Sequence, residues 1–105
     1  MSNNKTNNKT MMDRAKEYRL PVRTTPEDLE SSWQMVLDFE KPDGQKRILL
    51  AGYFYNPDGK SWFAAVYEFT NDNETTCEDS IGIREISEER FSTNGNAIAW
   101  AIQNA

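Results

Sequence analysis

Apolar side chains fill both faces of two neighbouring segments in the middle of this chain. In 48–55, Ile48, Leu50 and Phe54 fall on one side of an extended backbone, and Leu49, Ala51, Tyr53 and Tyr55 on the other. In 61–69, Phe63, Ala65, Tyr67 and Phe69 alternate with Trp62, Ala64 and Val66. A sheet with one wet face alternates cleanly with polar residues, so this pattern predicts a sheet covered on both faces. A wider period follows at the C-terminal end. Thr93 or Asn94 opens a helix with Ile98, Ala101 and Ile102 on one face and Ala97 and Trp100 beside it. That helix covers one face of the sheet. The other needs the N-terminal helix, a second copy or a partner, because a large apolar patch would otherwise stay exposed.

Turn residues punctuate the pattern. Pro42-Asp43-Gly44 and Pro57-Asp58-Gly59 each lie between apolar runs. Proline presets the first central position of a turn and glycine supplies the positive φ that follows. Strands over 32–40, 46–55 and 60–70 then form a meander. A fourth strand, 81–86, follows the polar loop 71–80, and Ser87-Glu88-Glu89-Arg90 reads as one capped turn. Upstream the period is ambiguous. Leu29, Trp33, Val36 and Leu37 fit a helical stripe, while Trp33, Met35, Leu37 and Phe39 fit a strand. The Pro42 turn and the helix start at Thr25-Pro26-Glu27-Asp28 favour a helical turn over 26–31, then the strand.

The N-terminal part differs in kind. Residues 1–10 contain a repeated Asn-Asn-Lys-Thr with nothing to bury, and this predicts disorder. Residues 11–19 hold good helix formers with Met11, Ala15 and Tyr18 on one face, and Pro21 ends the helix. The fold expected is α+β: a four-stranded antiparallel sheet, a C-terminal helix, a short N-terminal helix and a disordered tail. The domains are a basic, largely flexible arm over 1–25 and an acidic body over 26–105.

Charge sharpens that division. Residues 1–25 carry six basic side chains against two acidic ones, and 26–105 carry six against fifteen. The net charge of the 105-residue chain is −5. No apolar run reaches the length of a membrane span, and no signal-peptide pattern opens the chain. With the lone Cys77 unable to form an internal disulfide, a cytoplasmic setting is expected.

The chain has no histidine, which removes the side chain best suited to proton transfer near neutral pH and the commonest transition-metal ligand. Gly59-Lys60-Ser61 resembles the end of a phosphate loop, but Phe54 stands where its first glycine belongs. The acids of 72–79 lack the central glycine and flanking helices of a calcium loop. Cys77 lies among carboxylates, which weaken it as a nucleophile. Carboxylate pairs such as Asp38 with Glu68, or Glu85 with Glu40, arise by chance in so acidic a body. No catalytic residue, metal ligand or cofactor is assigned, and the chain is read as a non-enzyme.

What remains is a surface dense in carboxylates beside Tyr and Trp, suited to a basic target. The leading expectation is a protein-binding module, an acidic antagonist that blocks the basic surface of a nuclease or nucleic-acid-binding partner. Its candidate binding residues are Tyr53, Tyr55, Trp62, Asp72, Glu74, Glu78, Asp79, Glu85, Glu88 and Glu89. One alternative is a homodimeric assembly protein using a spare sheet face. Another is a nucleic-acid binder acting through Lys5, Lys9, Arg14, Lys16, Arg19 and Arg23. No membrane partner is expected.

Overall fold

The computed structural model describes residues 9–70 and 80–105. In chain order the elements are α1 (Met11–Tyr18), β1 (Arg23–Thr24), α2 (Pro26–Ser32), β2 (Met35–Glu40), β3 (Lys46–Tyr53), β4 (Trp62–Thr70), β5 (Ser80–Ile86) and α3 (Asn94–Gln103). The class is α+β, with an antiparallel sheet and a C-terminal helix. The sheet has five strands rather than the four expected, in the order β1-β5-β4-β3-β2. The extra strand is Arg23–Thr24, which pairs through Arg23 with Gly82 and Thr24 with Ile81. Two polar residues are too short a run to show any alternation. What holds them is tertiary: Ile83 N–H donates to the Val22 carbonyl at 2.9 Å, and the buried Tyr67 hydroxyl donates to the Pro21 carbonyl at 2.6 Å.

The remaining four strands form the meander. Both turn glycines take positive φ, 90° at Gly44 and 92° at Gly59, as the Pro-Asp-Gly sequences require. Pairing of β2 with β3 runs unbroken from Met35–Ala51 to Glu40–Lys46. The β4–β5 ladder slips by one residue between Val66 and Tyr67. That bulge lets Ile83 and Ile86, three apart in sequence, face the same core beside Ile81.

Helices cover both faces. Leu49, Ala51, Ala64 and Val66 pack against Ala97 and Ala101 of α3. The opposite face, with Ile48, Leu50, Phe63, Ala65 and Tyr67, packs against Ala15 and Tyr18 of α1, Leu20 and Leu29 of α2. The N-terminal helix is thus one cover of the sheet. Thr10 caps it, accepting from Asp13 N–H at 3.1 Å while the Asp13 carboxylate accepts from Thr10 N–H at 3.2 Å. Arg19 closes it in the left-handed region at φ 61°, and Leu20 N–H returns to the Ala15 carbonyl at 2.8 Å. Among the described residues, no helix is long and apolar enough to cross a membrane.

Candidate partner-binding surface

The β3–β4 hairpin turns through Asn56–Lys60 and carries the exposed aromatics. Gly59 N–H donates to the Asn56 carbonyl at 3.0 Å, and the Asp58 carboxylate accepts from Lys60 N–H at 3.0 Å. The Ser61 hydroxyl accepts from Asn56 N–H at 2.9 Å, so the loop is held by its own polar side chains. Tyr53 and Trp62 face each other across the two strands, ring centroids 5.4 Å apart at 79°. Tyr53 is 55% exposed and Tyr55 71% exposed, whereas Trp62 leans into the α3 core.

After β5 the chain does not form the capped turn expected over 87–90. It runs beside the start of β4 as an irregular strand extension. Ser87 N–H donates to the Ala64 carbonyl at 2.8 Å, and the fully buried Ser87 hydroxyl accepts from Ala64 N–H at 3.1 Å. Phe91 then bridges Trp62 through two backbone hydrogen bonds of 2.8 and 2.9 Å. This path carries Glu88 and Glu89, both exposed, past the hairpin end. With Glu85 they line a cleft of about 190 Å³, floored by Arg14 and walled by Trp100 and Ile86. The Arg14 guanidinium is buried, donates to the Lys9 carbonyl at 2.7 Å and lies 4.0 Å from the Glu88 carboxylate. Its Nε is buried without a partner among the described residues.

On the far side of the hairpin, Arg90 spans two rings, its guanidinium 5.5 Å from the Tyr18 centroid and 5.4 Å from that of Phe54. It also donates to the Phe54 carbonyl. Burial pushes the Tyr18 phenol above its ordinary pKa, and Arg90 opposes that only in part.

Of the residues assigned to partner binding, Tyr53, Trp62, Glu85, Glu88 and Glu89 lie at the end of the sheet where the β3–β4 hairpin turns, with Tyr55 just beyond β3. Asp72, Glu74, Glu78 and Asp79 lie outside the described residues, as does Cys77. Their flanking residues, Thr70 and Ser80, pair at the opposite end of the sheet. Of the basic set, Lys9 is ion-paired with Glu17 at 2.7 Å, which raises its pKa, while Lys16, Arg19 and Arg23 are exposed and Lys5 lies outside the described residues. Trp100 and Arg90 carried no sequence signal for this surface. Trp100 reads as core on the α3 stripe, and only the tertiary fold brings Arg90 onto two rings.

A second concavity, about 1280 Å³, lies at the other end and reaches from β2 to β5, lined by the acidic Glu27, Glu30, Asp38 and Glu40 and the basic Lys41, Lys46, Arg47 and Arg84 among others. Among the described residues, no group of three or more Cys, Asp or Glu side chains is arranged to hold a metal ion.

No curated protein and no solved structure matches the chain. Residues 20–105, which span β1 to α3, match the family described as nucleotide modification associated domain 4. The chain belongs to that family.

Proposed function

We propose that this chain is a non-enzymatic protein-binding module that acts beside nucleotide-modifying machinery by masking a basic surface on a protein partner. A protein that handles polyanionic nucleic acid presents such a surface, and an acidic module complements it. The observation that carries the reading is the cleft shared by Glu85, Glu88 and Glu89, with Trp100 as its wall. Its volume falls below the roughly 300–1,000 Å³ of small-molecule sites, and suits one long side chain of a partner. Three carboxylates against one guanidinium leave it net negative, so a lysine or arginine is the complementary guest. Tyr53 and Tyr55 supply exposed aromatic area at the same end of the sheet, the kind of anchor that dominates interface energetics.

The test is affinity capture from host lysate on the intact chain and on a Glu85→Gln/Glu88→Gln/Glu89→Gln variant. A nucleic-acid-handling protein retained by the first, released by salt and lost from the second supports the reading. Addition of the free chain should then lower that protein's affinity for nucleic acid. Identical proteins on both columns would overturn it.

A further inference from the structure

The sheet ends on β2, whose outer edge has no strand beside it among the described residues. Unpaired edges are usually short, bulged, or guarded by proline or lysine. β2 is six residues long, Met-Val-Leu-Asp-Phe-Glu, and regular throughout its pairing with β3. Its guards are acidic instead.

The two faces of this edge differ in chemistry. On the α3 side, Leu37 is 41% exposed between the half-buried Met35 and Phe39, and Ile102 of α3 is 46% exposed. On the α2 side, Asp38 and Glu40 are exposed and share one groove with Glu27 and Glu30; Lys46, paired across from Glu40, and Lys41 lie in the same groove and offset part of this negative charge, leaving the edge net acidic. Backbone donors and acceptors lie between an apolar row and a carboxylate row.

We propose that β2 is a strand-addition site for an extended, basic peptide segment of a partner protein. Side chains of an added strand alternate between faces. The segment that fits therefore alternates apolar residues, over Leu37, with lysine or arginine, over Asp38 and Glu40. Charge selects this occupant over a second copy. Pairing β2 with another β2 about a twofold axis would bring Asp38 and Glu40 of both copies, four carboxylates, onto one face. The site is separate from the Glu85, Glu88 and Glu89 cleft and does not depend on the reading given for it.

The probe is a fluorescein-labelled Lys-Val alternating hexapeptide, titrated by anisotropy against the full chain in low salt. Two control peptides keep the composition: one groups the lysines and valines in blocks, and one alternates but carries N-methyl groups on every second backbone nitrogen. Binding of the alternating peptide should exceed that of either control by about tenfold or more. Asp38→Lys/Glu40→Lys should weaken it by a similar factor. The control peptides keep the comparison valid if the lysine variant folds poorly. Equal binding of all three peptides would mean general charge attraction and overturn the proposal. So would absence of binding, or a self-association that Asp38→Lys/Glu40→Lys enhances.

Discussion

Tyr18 lies flat on Phe63, their ring centroids 3.9 Å apart and their planes 3° from parallel. This contact fastens α1 to the sheet, because Tyr18 is the last residue of the helix and Phe63 is fully buried in β4. Phe63 also receives the edge of Trp33 at 5.5 Å and 86°, so one ring collects α1 and the segment entering β2.

Tyr18→Ala removes the buried ring and should lower unfolding stability by about 3–5 kcal/mol, in the range of large-to-small aromatic substitutions. Urea denaturation checks this. Phe in the same place should restore most of the loss, since the ring carries the packing.

Gly52→Ala tests the closest approach in the core. A Cβ there would stand 2.4 Å from Phe63 Cζ and 2.8 Å from Trp33 Cζ3. Phe63 has little freedom to move, because Tyr18 is stacked on it and Trp33 packs against it at a right angle. The expected cost is about 1–3 kcal/mol with an altered near-ultraviolet dichroism from the displaced rings. Gly44→Ala has nothing within 4 Å to strike, and should cost only the backbone strain of φ 90° without the spectral change.

Much of this architecture was legible before folding was considered. Two Pro-Asp-Gly turns and a doubly apolar pair of strands predicted the meander and the C-terminal helix over one face, and left the other cover open among the N-terminal helix, a second copy and a partner. The fifth strand was not, because Arg23 and Thr24 are recruited by the open edge of β5 rather than by any preference of their own. The path of 87–91 was hidden for a related reason. Ser-Glu-Glu-Arg has the local chemistry of a helix start, but the buried Ser87 hydroxyl is committed to Ala64 and Glu89. The carboxylates of the cleft could be named from their sequence positions, whereas its Trp100 wall and Arg14 floor come from other elements, Arg14 standing 74 residues before Glu88.

Ser87→Ala should leave the Ala64 N–H buried and unsatisfied, at a cost of about 1–3 kcal/mol. Thermal unfolding measures the loss. Glu89→Gln, on the same path but exposed, should stay within about 0.5 kcal/mol of the parent.

Alkaline pH should unfold the chain early. Burial raises the phenol pKa of both Tyr18 and Tyr67 above the ordinary 10.0. Below about pH 10 these phenols are protonated in folded and unfolded chains alike, and their contribution is fully present. Above it, the unfolded chain releases protons that the folded one retains, so stability falls as pH rises. Urea midpoints should hold level to about pH 9.5 and then drop. Tyr67→Phe should lose about 1 kcal/mol at neutral pH with its bond to Pro21, and show a shallower alkaline decline.

The strand order has an electrical consequence. Residues 9–25, in α1 and β1 with their flanks, carry five basic side chains against two acidic ones. Residues 26–46, in α2, β2 and the turn after them, carry six acidic against two basic. Because β1 and β2 are opposite edges of the sheet, these two segments give the molecule a separation of charge across its strands. In the field of a basic partner it would rotate before contact, bringing the α2 and β2 side forward. Encounters would then begin already aligned, and association rates would fall with added salt more steeply than a uniformly spread charge of −5 would give.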